Sequence, residues 1–465
     1  MRRWQFALVM LLVTLVSVVA HPALGVTLAA TTVFTDVDEA LKVLFEDPLV
    51  ENIVTDSELL DLFEADFNVK SDETTGGRYI ETAQMFRLPG GTGYRAEGDY
   101  IPVPNAGLVA NSRIYLKKGM GTVEMSGDVM RKFKGNPGAW LDWAATELPR
   151  LVRRITNEDD RIMAGYGAGA KARVATAYNA ASTTIPVDRA HGVTGLTNAY
   201  LQFLEGESLR ASPNLDGTSP RTGAMIVTAI NQSTGELTVD AAATSLADND
   251  YLFQGDAAGA SWQNSGDDRE FMGLLGLVDD GTILSTFQNI TRATYQQWQS
   301  IVIDASSVSS GVLNEDVINF ADEETDLKGG GKINAFVASK SGARSFWKSL
   351  KTDRVIQTVS GAPQNGVYQG GKKGLQMLLG DRVIDVRSAR KLSPEIAFGL
   401  QTNTFKRHML NKWEWDDTTG AIWKQVTDST GRKDAFYAYG HKYLQNSCSE
   451  PRKNFKITGI TAVNS

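Results

Sequence analysis

Cysteine occurs once in 465 residues, as Cys448, so no internal disulfide can form and the chain must be held by packing or association. A lone Cys448 reads as a small buried thiol. Histidine is almost as scarce. His21, His191, His408 and His441 are scattered, and none stands in an H-E-x-x-H arrangement that would set two imidazoles on one helix face, which argues against zinc. An excess of positive charge is also missing: the formal charge is −7, which argues against a protein that grips phosphate backbones over its whole surface. What remains is ordinary globular composition, 42% apolar and 22% charged, enough for one large core or two to three smaller ones.

The charge is unevenly placed. Asp36 to Glu73 holds 13 acidic residues against Lys42 and Lys70, a segment of −11, and the other 427 residues sum to +4. Ahead of this acidic arm, Arg2 and Arg3 precede an apolar run from Trp4 to Ala20, slightly short of the ~20 residues of a membrane span and similar to a secretory signal. No methionine follows Met10 until Met85, so a later start would need a non-Met codon near Val26, Leu28 or Val33, or proteolysis.

Within the arm, "DVDEALKVLFE" places Val37, Leu41 and Leu44 at helical spacing, and "TDSELLDLFEADF" has Thr55 and Glu58 at the spacing of a capping box, so two helices are expected. The stretch "MFRLPGGTGYRAEGDYIPVPNAG", Met85 to Gly107, carries five glycines and three prolines between two strand-like runs, Arg78–Leu88 and Val109–Gly127. Structureless loops beyond roughly 12–15 residues are uncommon inside compact domains, so a projecting two-stranded ribbon is the economical reading. "AWLDWAATELPRLVRRITNEDDRIMAGYG" has one apolar stripe at helical spacing, which predicts a long helix bent at Pro149 and ended by the glycines of "GYGAGA". From about 172 to 270, short β-type runs separated by Gly, Asn, Asp and Pro predict an inserted β module. Beyond Gly273 the pattern is mixed. Helices are expected at Arg292–Ala305, Leu313–Asp326 and Ser341–Lys351, and strands at "INAFVAS", Leu375–Leu379, Arg382–Arg387, Ile396–Gln401 and Phe405–Trp413. A last helix is expected in "RKDAFYAYGHKYLQN", followed by a strand in "NFKITGIT".

No catalytic constellation emerges. "KGGGKIN" lacks the spacing and the Ser/Thr of a P-loop, and "GYGAGA" follows a helix where a dinucleotide fingerprint needs a strand. "VASKSGARSF" has no G-x-S-x-G elbow and reads as helix capping. Lys372 and Lys373 read as a solvated glycine turn, with contact to a neighbouring subunit as the sharper alternative. Asp267, Asp268, Glu323 and Glu324 have no pairing geometry that sequence can supply.

The order of elements resembles the major capsid proteins of tailed bacteriophages, the Hong Kong phage capsid fold that encapsulin shells also use. "RYIETAQMFRLPGGTGYRAEGDYIPVPN…RIYLKKGMGTVEMSGDVM" is similar to the family's extended loop, and "NEDDRIMAGYGAGAKARVA" to the end of its spine helix. "FMGLLGLVDDG…TRATYQQWQS" and "RKDAFYAYGHKYLQNSCSEPRKNFKITGIT" are similar to later stretches. The resemblance implies an α+β fold. Its parts would be a signal-like segment over 1–32, absent or removed; an acidic helical arm over 33–77; an extended β-hairpin loop over 78–128; and a spine helix over 129–171. The inserted β-rich module would span 172–270, and a mixed α/β axial domain with returning peripheral strands 271–465. It further implies a head protein, not an enzyme, with no cofactor or metal, that forms hexamers and pentamers around double-stranded DNA without reading its sequence. Portal, scaffold or decoration proteins would be its partners, the virion its place, the host cytoplasm its site of assembly, with no membrane in the mature form. The loop would lie across an adjacent subunit through Arg87, Tyr94, Arg95, Glu97, Asp99 and Tyr100, since aromatic and Arg residues are favoured anchors. Some relatives weld subunits through a loop lysine, but no lysine occurs here between Leu88 and Leu116. The alternatives are an exported β-rich binding protein of the cell surface and an encapsulin-like shell.

Overall fold

The computed structural model describes residues 58–63, 65–66, 79–129, 131, 137–176, 178–179, 182–255, 270–349, 376–379, 382–417, 421–428 and 431–461. The apolar segment 1–32, the first expected arm helix, Asp267, Asp268, Lys372 and Lys373 lie outside them. The second arm helix is not formed where the chain is described. A 3-10 turn at Leu60–Leu62 leads into a two-residue strand, β1 (Ala65–Asp66). Tertiary contacts override helix propensity here. Leu59, Leu62 and Phe63 are buried, and Phe63 stacks on Phe405 with centroids 4.8 Å apart. Glu58, expected to close a capping box, instead accepts the Arg390 N–H at 2.9 Å and pairs with Lys340 at 3.0 Å.

Strands β2 (Ile80–Arg87) and β3 (Leu108–Ile114) form a separate two-stranded ribbon, paired from Ile80↔Ile114 to Arg87↔Leu108 with a register shift between Met85 and Arg87. The second expected strand is in fact two, because the chain turns away at Tyr115 and Leu116 and β4 (Lys117–Ser126) joins another sheet. Helix α1 (Pro137–Ala164) then runs for 28 residues, continuous through Pro149, with Pro137 in the first turn where its missing N–H costs nothing. Gly167 and Gly169, at φ of 87° and 80°, supply the left-handed turns that carry the chain from the helix into β5.

Six strands follow: β5 (Ala170–Val174), β6 (Thr184–Asp188), β7 (Ser208–Ser212), β8 (Met225–Asn231), β9 (Glu236–Val239) and β10 (Tyr251–Gln254). They close into a barrel in the order β10-β5-β6-β9-β8-β7, which leaves no open edge. Val174, Ile185, Leu209, Val227, Leu237 and Leu252 fill it and are fully buried.

The helix expected at Arg292–Ala305 is replaced by a small hairpin, β11 (Thr286–Phe287) and β12 (Ile290–Thr291), a turn at Gln296–Trp298 and strand β13 (Ile301–Asp304). A one-turn helix at Ala305–Ser309 and two longer helices come next. Helix α2 (Glu315–Gly329) is capped by Asn314, whose Oδ1 accepts the Val317 N–H at 3.1 Å, and it ends at Gly330 with φ 62°. After β14 (Ala335–Ser339), helix α3 (Lys340–Ser349) is capped by Ser339 Oγ, which accepts the Gly342 N–H at 2.9 Å. That is the capping role read from "VASKSGARSF". Strands β15 (Gln376–Leu379), β16 (Arg382–Ala389) and β17 (Ala397–Leu400) add to a six-stranded sheet in the order β13-β21-β17-β14-β16-β15, where β21 is Phe455–Thr458.

The remaining sheet is built on one long strand. β18 (Phe405–Trp415), β19 (Lys424–Asp428) and β4 all pair with β20 (Gly431–Cys448), an 18-residue strand where a closing helix was expected. Burial alternates residue by residue from Ala438 to Leu444, as a strand requires. Gly440 disfavours helix, and pairing on both sides decides for strand. Gly440 lies opposite Gly121 in β4, and a Cβ on Gly440 would stand 2.2 Å from Trp413 Cζ2. A Cβ on Gly121 would meet the same indole at 2.9 Å and Ile155 of α1 at 2.7 Å. The two glycines make the recess that lets Trp413 lie between sheet and helix.

Candidate interface loop and its anchor

Residues 87–109 are exposed throughout except Pro102, which is half-buried. Of the six residues expected to make crossing contacts, two brace the hairpin itself. Arg87 donates from Nη2 to the Ala106 carbonyl at 3.1 Å, and Asp99 Oδ2 accepts the Ala96 N–H at 3.2 Å. Tyr94, Arg95, Glu97 and Tyr100 face solvent at the tip. Sequence reasoning missed the apolar residues beside them: Leu88, Ile101 and Val103 are 76%, 89% and 85% exposed. Ile101 and Val103 alternate with Pro102 and Pro104, a pattern in which prolines hold the chain extended and would have drawn attention to the residues between them. The tip has a defined course, since the Gly90 N–H donates to the Asn105 carbonyl at 2.8 Å and closes a bridge across the loop.

The base of the hairpin is fixed to the core. Phe86 stacks on Tyr295 at 4.4 Å and meets the edge of Trp298 at 5.7 Å, and the Arg113 N–H of β3 donates to the Gln288 carbonyl at 2.9 Å. What they rest on is a buried polar knot. Asp279 accepts the N–H groups of Gly281, Ile283 and Leu284 and takes Lys456 Nζ at 2.7 Å. Arg292, fully buried, donates to the carbonyls of Gly276 at 2.8 Å and Leu284 at 3.0 Å and sits 3.4 Å from Asp279. Burial lowers the Arg292 guanidinium to about 10, with Asp279 opposing the shift. Burial works against the charge on Asp279 too, but Lys456, the N–H donors and Arg292 together hold its carboxyl below the usual range.

A second knot fixes the end of α1. Three consecutive acids there each tie a different part of the chain. Glu158 holds Arg161 at 2.8 Å and Lys171 at 3.1 Å, Asp159 pairs with Lys442 of β20, and Asp160 accepts the Leu59 N–H at 2.8 Å. Arg161 also pairs with Glu270 and Lys171 with Glu207, so the helix end, the barrel and β20 meet around buried charges. Burial opposes ionisation of Glu158, yet Arg161 and Lys171 bring it down to about 2, whereas Glu270 is pushed up by burial with Arg161 only partly offsetting it. His191 is lowered to about 3, by burial first and then by Arg161 and Lys391. Lys391, lowered to about 8 by burial, donates to the Leu201 carbonyl at 2.6 Å and joins the barrel to the segment after β16. The residues that resembled the spine-helix end are thus a hub of long-range ties, and Glu158, Asp159, Glu207, Glu270 and Lys442 also line a cavity beside α1 and β4.

Cys448 is buried, as a lone thiol was expected to be, and burial pushes it up to about 12. Among the described residues no group of His, Cys, Asp and Glu is placed to hold a metal, and no helix is long and apolar enough to cross a membrane.

No family model matches the chain, and no curated protein matches it. Among solved structures it is similar to the capsid asymmetric unit of cyanophage A-1(L), at 8% identity over 89% of this chain and 96% of that one, with a TM-score of 0.47. It is also similar to the capsid of a native GTA particle, at 9% identity over 94% and 99%, TM-score 0.43. A structure from Mycobacterium phage Bobi is similar at 8% identity over 91% and 97%, TM-score 0.40.

Proposed function

We propose that this chain is the major capsid protein of a tailed bacteriophage, a subunit that assembles into hexamers and pentamers and closes an icosahedral shell around packaged double-stranded DNA. The observation that carries the reading is the hairpin: its base is locked against a buried knot, its course is set, and its tip turns Leu88, Tyr94, Tyr100, Ile101 and Val103 to solvent. Soluble monomers usually expose large apolar side chains singly, and here five fall within one loop. A neighbouring copy would cover it, with Tyr94, Arg95, Glu97 and Tyr100 making crossing contacts and Ile101 and Val103 supplying buried area. A standard interface removes roughly 1,600 Å² from water, and a subunit held by several such neighbours is kept in place although each contact is modest.

The action is physical, not catalytic. Outside the acidic segment 36–73 the chain sums to +4, which suits enclosing DNA without gripping it. Portal, scaffold or decoration proteins would join the shell, which would form in the host cytoplasm and persist in the virion. The test is to express the chain and examine it by size-exclusion chromatography and negative-stain microscopy. Rings or shells are expected, and deletion of Gly90–Pro104 should leave a folded subunit that no longer closes. Normal shells from the deletion variant would refute the role given to the hairpin.

A further inference from the structure

Helices α2 and α3 lie on the same face of the six-stranded sheet. Ile318 and Ala321 of α2 and Ala343 and Phe346 of α3 share one buried cluster with Phe336 and Phe455. α2 packs over β13 and β21, at one end of the sheet, and α3 over β14 and β16, towards the other. Their outward sides differ in sign. α2 exposes Asp316, Phe320, Glu323 and Leu327, spaced i, i+4, i+7 and i+11 along one stripe, with Phe320 40% and Leu327 81% exposed. α3 exposes Lys340, Arg344 and Lys348, spaced i, i+4 and i+8, with Trp347 half-buried beside them. Lys340 also reaches Glu58 at 3.0 Å.

An acidic stripe with two apolar residues at one end of a layer and a basic stripe at the other are complementary; a two-fold axis would pair them reciprocally in a closed dimer, and the shell-forming reading calls for the open alternative. They complement each other head to tail, and repeated head-to-tail contacts close into rings. We propose that α2 of one copy docks on α3 of the next, with Asp316 and Glu323 facing Arg344 and Lys348. Phe320 and Leu327 lie against the aliphatic stems of those cations and against Trp347. The proposal rests on the shell-forming reading for the ring it closes, but which faces meet is a separate question.

The full chain is compared with D316K/E323K, with R344E/K348E and with all four changes together. Each two-residue variant should raise the protein concentration needed for assembly roughly tenfold or more while keeping the far-UV circular dichroism of the parent, and the four-residue swap should recover assembly. Added salt should weaken assembly of the parent. A cysteine pair decides the geometry independently of these charges. Oxidised E323C/K348C should give a ladder of cross-linked chains on a denaturing gel, and each single cysteine should stay monomeric, Cys448 being buried. Charge-reversed chains that assemble like the parent, no ladder, or dimers from E323C alone would each overturn the pairing. If the parent itself forms no rings or shells, the capsid reading fails instead, and the same cross-link at high protein concentration still decides whether α2 meets α3.

Discussion

The tip of the β2–β3 hairpin and the knot beneath its base are built on opposite rules. At the tip, Tyr94 and Tyr100 are fully exposed, and the loop is shaped by a handful of backbone contacts. In the knot, Asp279 and Arg292 are fully buried, and each holds several partners drawn from 276 to 456. The difference shows where intramolecular order ends. The chain fixes the direction in which the hairpin leaves the body and leaves its end without intramolecular cover, so stability and assembly are carried by different residues and can be separated by mutation.

The largest effect on stability is expected in the knot. R292A removes a buried guanidinium and leaves the Gly276 and Leu284 carbonyls without their donor, and the loss should be ~3–5 kcal/mol by urea unfolding. A loss below ~1 kcal/mol would mean the knot can be rebuilt without it and that the contrast with the tip is overdrawn. G440V comes next. The added Cβ would stand 2.2 Å from Trp413 Cζ2, so the indole must leave its recess under α1, at a cost of ~1–3 kcal/mol. Stability unchanged in that variant would show that Trp413 has somewhere else to go.

A smaller and pH-dependent effect belongs to the hub at the end of α1. His191 is lowered from 6.5 to about 3 in the folded chain, so below pH 6.5 the unfolded chain takes up a proton that the folded one refuses. Stability therefore falls as pH drops from 6.5 towards 3, by at most about 1.4 kcal/mol per pH unit from this group. Glu158, lowered from 4.5 to about 2, adds a loss of the same sign below pH 4.5, and Glu270, which is raised, works the other way. Between pH 6 and 5 the slope should thus come mainly from His191, and H191Q should flatten it in thermal melts. An unchanged slope in H191Q would place the titration elsewhere.

Much of the fold was legible where side-chain pattern and local structure agree. The apolar stripe of α1, the short β-type runs of the barrel and the Ser339 cap all follow from residues close in sequence. The failures share one cause, which is partners far away in the chain. β20 is a strand because β4, β18 and β19 flank it. Arg292 sits in an irregular segment because its guanidinium reaches Gly276, Leu284 and Asp279, and the arm unwinds at Leu60 because Glu58 is held by Arg390 and Lys340. At the hairpin, composition pointed to the loop and to its aromatic and charged residues. Ile101 and Val103 leave no such mark in composition, because only the course of the backbone shows that no described residue covers them.

The smallest effect is the sharpest test of the contrast. Y94A/Y100A removes two rings that touch solvent in the isolated subunit, so the stability of the unassembled chain should change by less than about 0.5 kcal/mol. The same pair would sit at the centre of a contact between copies, where truncating an aromatic anchor commonly costs about 2 kcal/mol or more. Urea unfolding of the isolated variant should then match the parent, and the yield of closed particles should collapse. If unfolding shows a loss as large as that of R292A, the tip is packed against its own subunit and the division between anchored base and open end is wrong. If both unfolding and closure are unchanged, Tyr94 and Tyr100 lie outside the contact, and Leu88, Ile101 and Val103 become the residues to remove.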